Sequence, residues 1–388
     1  MPSLRKGASP SRISAGPGRA AQPAVLLDSE SPYGSRRVVV EYDGTTTAAY
    51  VHDAGGPVAA TWIANHGAAP QAVDPAGLSS GQAPQMPAAH TKHPQGRPPL
   101  DPAGLSALWL EEGDGVAVLE YGTPVAVIPG WADMATGRPG YASDVIGQTP
   151  FGWSLDQALK GLGPRIADAR RFWAWRSDPG AWASFRQAVS GFLTGALGPA
   201  GQYWDVSGGR PPLVGVSERP PTGQRPYTVL ATAGMSAQRM PVIEQAGEGA
   251  AGRSRIELAL ATTMPSAAAA RIFLWLAQYP WREVTWLGAG HTVPWYHEPG
   301  TFPLRGGAGG AGGEGGAEGN SAVLLLDEPG RLPGPEVPQL GGFTVAGAPV
   351  RWLWVVPVSE RERQLGADAG AGSLITHLAA RGRSWVAG

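Results

Sequence analysis

Apolar and polar residues first alternate clearly at Val38, Val40 and Tyr42, with Asp43-Gly44 close behind. A period of two marks a half-buried strand, and Asp-Gly between two such runs predicts a hairpin. Residues 58–66 read as a third strand. Residues 67–104 have no period and are rich in Pro, Gly, Ala and Gln, which predicts a long irregular loop. Residues 108–111, 116–121 and 125–128 then read as strands separated by Gly113-Asp114-Gly115 and Gly122-Thr123-Pro124. They form an antiparallel meander with one packed face.

The period then lengthens. Ser154 and Gln157 stand at capping-box spacing. Pro164 suits the first turn of a helix with Ile166, Ala169 and Trp173 on one stripe. Asp178-Pro179 opens a helix lined by Trp182, Phe185, Val189, Phe192 and Leu193, ended by Gly195 or Gly198. Residues 227–232 and 255–262 read as strands. Residues 266–279 read as a helix with Ile272, Trp275, Leu276 and Tyr279 on one face. Residues 323–326 and 350–358 are strands, the second apolar enough to lie centrally in a sheet. Residues 360–362 open a turn or helix, and 373–380 form a last helix.

The expected fold class is α+β, with two domains, each a mainly antiparallel or mixed sheet packed with helices. Residues 1–35 read as a disordered tail and 36–204 as an N-terminal α+β domain of unknown role. Residues 205–225, with SGGRPP and RPPTGQRP, read as a linker. Residues 226–388 form the C-terminal domain, interrupted at 305–320 by a Gly-rich loop.

Composition narrows the function classes. A length of 388 residues suits two domains. The net charge of −1 supplies no basic face, so neither nucleic acid nor a membrane surface is an expected partner. Arg5, Lys6, Arg12 and Arg19 make the first twenty residues look faintly like a transit peptide, but a disordered tail is the preferred reading. No window holds the roughly 18 apolar residues of a membrane span. The absence of cysteine excludes disulfides, thiolate metal sites and Cys nucleophiles, and fits a cytoplasmic protein. Abundant Gly, Pro, Ala and Arg suggest a GC-rich, actinobacterial source. Fifteen Trp provide apolar area for two cores. No cofactor is expected.

Few side chains suggest chemistry. His291, flanked by Gly290 and Thr292, is either a general base or ligand partnered by Glu257, or a structural histidine that holds its loop; the second reading is preferred. Gly234-Met235-Ser236 is not a nucleophile elbow. His90, His93 and Asp101 are zinc-ligand types, but no motif places them together, so no metal is expected. Glu111, Glu112 and Asp114 read as solvated charge at a hairpin tip, because neighbouring strand residues face opposite ways. Trp131, Asp133, Arg138 and Tyr141 form a candidate interface loop, since Trp, Tyr and Arg dominate interface hot spots. The alternative is a loop packed on its own domain through Trp131 and Tyr141.

Six motifs in order across residues 225–380 resemble the Suppressor of fused domain. They are Thr232, Gly234, Met235 and Ser236 in a Thr-x-Gly-Met-Ser turn; Arg255 and Glu257 in an Arg-x-Glu-Leu strand; Tyr279-Pro280; Trp286, Gly288, Gly290, His291 and Thr292 in Trp-Leu-Gly-x-Gly-His-Thr; an apolar strand ending at Pro329; and Val355 to Val358 running into Glu360 and Glu362. The resemblance implies binding rather than catalysis. Animal members sequester transcription factors, and bacterial members are mostly inferred to be immunity proteins that block toxins. EEGDGVAVLE and VIPGWADMATGRPGYASD look like the first half of longer actinobacterial members. The expectation is therefore a non-enzymatic, immunity-type protein that sequesters a toxin domain or a regulatory protein. The alternative is a hydrolase or metal-assisted enzyme using His291 and Glu257.

Overall fold

In the computed structural model, residues 23–79, 81–297, 301–304 and 319–388 are described. Most of the tail and the Gly-rich loop expected from the sequence lie outside them. The first half builds two sheets. β1 (Ala24–Glu30), β2 (Arg37–Tyr42), β3 (Thr46–Asp53) and β4 (Gly56–Asn65) form an antiparallel meander in chain order. After α1 (Pro75–Ser79) and a long loop, β5 (Leu105–Trp109), β6 (Val116–Glu120), β7 (Thr123–Ile128), β8 (Tyr141–Ala142), β9 (Gln148–Thr149) and β10 (Gly152–Ser154) form the second, in the order β5-β6-β7-β8-β10-β9. Val38, Val40 and Ile63 of the first sheet pack on Trp109, Val116, Val118 and Ile128 of the second.

β1 corrects the expected tail: it pairs with β2 from Ala24–Tyr42 to Glu30–Arg37. As an edge strand it stays half exposed, so its pattern is weak. α2 (Leu155–Arg176) covers the second sheet through Leu155, Leu162 and Ile166. It begins directly after Ser154, where the capping-box spacing stands, and Pro164, expected in the first turn of a helix, lies inside it. The apolar stripe continues across the proline, and burying it offsets the missing donor. Ser154 is both the last residue of β10 and the N-cap of α2, but its side chain makes no capping hydrogen bond.

The second half is one mixed sheet. Its strands are β11 (Tyr203–Asp205), β12 (Gly215–Arg219), β13 (Thr228–Ala233), β14 (Arg255–Thr262), β15 (Thr292–Pro294), β16 (Ala322–Leu326), β17 (Thr344–Val345) and β18 (Ala348–Val358). The order is β11-β12-β13-β14-β18-β16-β15, with β17 paired to β18. β14 and β18 run parallel and the other named pairs antiparallel. β18 is central, and both its faces are covered. Leu353 and Val355 face one core; Trp352, Trp354, Val356 and Val358 face the other. The first core is closed by α4 (Ser266–Ala270), α5 (Phe273–Leu276) and α6 (Tyr279–Arg282). These replace the single helix expected over 266–279. The N–H groups of Arg271 and Ile272 bond three residues back, tightening the turn, and Pro280 supplies no donor.

The other core is closed by α3 (Ala181–Leu197) and α8 (Ala371–Ala380), with α7 (Glu360–Ala369) ahead of α8. α3 was expected to belong to the first half, yet Val189, Leu193 and Leu197 pack on Tyr227, Val229 and Ala231. The expected linker is built structure. It contains β12 and the buried Arg219 and Arg225. Arg219 donates to Thr194 Oγ1 (2.9 Å) and Gly198 O (3.0 Å), and Arg225 to Leu197 O (3.0 Å). Two cations thus sit where the helix dipole is negative. Among the described residues no helix is long and apolar enough to cross a membrane.

Candidate functional site

The Thr-x-Gly-Met-Ser turn is a cage for one carboxylate. β13 places Thr232, and β14 beside it places Glu257, both fully buried. Glu257 accepts from Thr232 Oγ1 (2.6 Å), Ser236 Oγ (2.6 Å), Gly234 N (2.9 Å) and Ser236 N (3.0 Å). Burial pushes its pKa up, and the four donors work against that rise. Gln238 Nε2 closes the turn on the carbonyls of Gly234 (2.7 Å) and Met235 (2.9 Å). Gly234 has φ +136°, and a Cβ there would come 2.1 Å from Leu213 O. The position requires glycine.

His291 stands elsewhere. Its ring lies 4.4 Å from that of Trp286. Its N–H donates to Gly288 O (3.1 Å), and its carbonyl accepts from Leu325 N (2.9 Å). Gly290 N in turn donates to Leu325 O (2.8 Å), and Thr292 pairs with Leu324 as β15 begins. Half-burial lowers the imidazole pKa, and a bond to the Trp286 backbone opposes this. Among the described residues no hydrogen bond joins His291 to Glu257. The general-base pair weighed from the sequence is not assembled, and the Glu257 carboxylate is enclosed by its four donors.

The acidic turn overturns its expected solvation. Glu111, Glu112 and Asp114 are buried. β5 ends at Trp109, so these residues lie in a turn and the two-sided strand argument does not apply to them. The tip inserts into the second half. Arg255 Nη2 lies 2.5 Å from Glu111 Oε1, and the Arg239 N–H donates to that same oxygen (3.0 Å). Val242 N donates to Asp114 Oδ2 (2.7 Å). Arg165 holds Glu112 (3.2 Å) and also pairs with Glu244. Tyr33 donates to Glu111 O (3.0 Å), its ring 6.1 Å from both Trp173 and Trp281. Burial raises the Glu111 pKa against the pull of Arg255. Burial, reinforced by Glu112, raises that of Asp114 to about 7.

Beside the Glu111–Arg255 pair opens a cleft of about 550 Å³ walled by both halves. Phe172 and Trp175 of α2 and Phe185 of α3 form an aromatic floor, with centroid spacings of 6.0 and 6.2 Å. Ala237 and Arg239, directly after the cage, form one wall, and Val345 and Ala346 another. The Arg239 side chain is 34% exposed, with Glu112 and Glu111 oxygens 3.9 and 4.0 Å away. Sequence reading missed Phe172, Trp175 and Arg239. The available signal was the run Phe172-Trp173-Ala174-Trp175, of which only Trp173 was placed on a stripe.

The candidate interface loop lies outside this cleft. Trp131 packs edge-on to Tyr141 (5.9 Å) and 5.6 Å from Trp153. Asp133 and Arg138 exchange both backbone hydrogen bonds (2.8 and 2.9 Å), leaving Met134 exposed at the tip. His93 Nδ1 is tied to Asp144 (2.5 Å), whereas Asp101 takes the Tyr121 hydroxyl and the Ala103 N–H. Among the described residues no three His, Asp or Glu side chains gather at metal-binding spacing.

Residues 209–387 match the family model described as Suppressor of fused protein (SUFU). Two solved structures are similar. The Sufu-Fu complex shows 14% identity and a TM-score of 0.34, over 50% of this chain and 83% of that one. A putative SUFU homolog from Neisseria gonorrhoeae FA 1090 shows 16% identity and a TM-score of 0.35, over 53% and 93%. No curated protein matches. The matched segment begins within the stretch read as linker and takes in β12, the Glu257 cage and the His291 loop. Residues 209–387 of this chain are a Suppressor of fused domain.

Proposed function

We propose that this protein is a non-enzymatic binding protein that holds a segment of a partner protein in the cleft between its two halves. The observation that carries this is the cleft itself: an aromatic floor beside an arginine, with the residues directly after the motif turn as one wall. Aromatic and Arg anchors in a water-excluding pocket are what interface hot spots consist of. The Glu257 cage keeps the turn rigid, so little ordering is left for the moment of binding. The reading suits a Suppressor of fused domain, since a solved structure of Sufu is that of its complex with Fu. The partner is a toxin domain or a regulatory protein, and the protein acts by covering its surface, as an immunity protein does.

The test is co-purification and calorimetry with toxins encoded beside its gene, together with growth protection on co-expression. Trp175→Ala combined with Phe185→Ala is expected to weaken the complex at least tenfold while melting within a few degrees of the parent. A partner that binds the double variant undiminished would remove the cleft from the account. Neither complex nor protection with any neighbouring toxin would remove the immunity role.

A further inference from the structure

Resting on that reading, we infer that the segment held in the cleft presents a carboxylate next to an aromatic or aliphatic side chain, and that Arg239 receives the carboxylate. The cations lining the cleft differ in how they are satisfied. Arg171 pairs with Asp168. Arg255 gives Nη2 to Glu111 and Nη1 to Ser236 O (2.9 Å), so that its buried Nε lacks an acceptor while both terminal nitrogens are engaged. The Arg239 guanidinium makes no hydrogen bond among the described residues, and its buried Nε has no acceptor.

Its two nearby carboxylates are engaged elsewhere: Glu111 with Arg255 and the Arg239 N–H, and Glu112 with Arg165. They hold the guanidinium from about 4 Å without saturating it. The root of the side chain is fixed on both sides, because its N–H donates to Glu111 and its carbonyl accepts from Trp281 Nε1 (3.0 Å). A planar fork with unsatisfied donors is built for a two-oxygen acceptor. The same two carboxylates disfavour a doubly charged phosphate more than a singly charged carboxylate. The floor of Phe172, Trp175 and Phe185 next to Arg239 then calls for an apolar neighbour.

A displayed random heptapeptide library, panned on the full-length protein, tests this. Selected peptides should carry Asp or Glu within two positions of an aromatic residue, Leu or Ile. For a synthetic peptide from that set, Glu→Gln should cost at least tenfold in affinity on the parent protein and less than twofold on Arg239→Gln. Arg239→Lys, which keeps the cation but loses the fork, replaces the Gln variant if that one melts early, and should give an intermediate ratio. Equal Glu→Gln effects on parent and variant, or selected peptides without acidic residues, overturn the inference and leave the cleft reading standing. Peptides that bind the Trp175→Ala, Phe185→Ala double variant undiminished, or no enrichment at all, overturn both.

Discussion

Two buried carboxylates in this molecule have opposite surroundings. Glu257 lies inside the second half and accepts from four donors of one turn. Asp114 lies at the junction of the halves, with one backbone donor on Oδ2, no partner on Oδ1, and Glu112 and Glu244 acting against its charge. The first replaces water's hydrogen bonds almost completely. The second leaves its charge poorly compensated. Burial alone therefore does not say whether an acid stabilises a fold; the donors around it do.

The comparison breaks first at Glu257. Replacing it with Ala leaves Ser236 Oγ and the Gly234 and Ser236 N–H groups without an acceptor, while Thr232 Oγ1 falls back on Leu258 O (3.3 Å). The expected cost is on the order of 4 kcal/mol or more, read by denaturant unfolding. A loss under about 1 kcal/mol would mean the cage is incidental.

Asp114→Asn should act in the other direction. The folded pKa of about 7 lies above the ordinary 3.8. The contribution of Asp114 is thus fully present below pH 3.8. It is lost as pH rises, and the penalty reaches its full size above about 7. The Asn variant keeps an acceptor for the Val242 N–H. It should match the parent at pH 4 and exceed it by roughly 4 kcal/mol at pH 8. Equal stability at both pH values would show the junction to be wetter than its burial implies.

His291→Ala sharpens the contrast at the small end. It removes the ring contact with Trp286 and the imidazole's bond to the Trp286 backbone, together worth about 1–2 kcal/mol, and should leave partner affinity unchanged. A large loss of affinity with normal melting would return the imidazole to a functional role.

Local pattern made some of this legible. β14 falls on the expected residues 255–262, and β18 extends only two residues beyond the expected 350–358, because a doubly covered strand shows a continuous apolar run. The motif residues Thr232, Gly234, Ser236 and Glu257 could be picked out, but not their reason, since the cage exists only once β13 and β14 pair. The acidic turn was misread because its partners are remote: Arg239 is 128 residues from Glu111. The cleft was invisible for the same cause. Its floor comes from α2 and α3 and its walls from two turns of the second half. β1 was missed because an edge strand carries half a pattern.

The placement of α3 bears on how this protein can be divided. The helix precedes the matched domain in the chain, yet Val189, Leu193 and Leu197 seal one side of that domain's sheet, and Arg219 and Arg225 clasp the helix end. A fragment begun at residue 205 would expose that sheet face to solvent and strand two buried guanidinium groups. A cut upstream of Ala181, in the short turn after α2, keeps the helix on its sheet, but it still parts Arg255 from Glu111 and Trp281 from Tyr33.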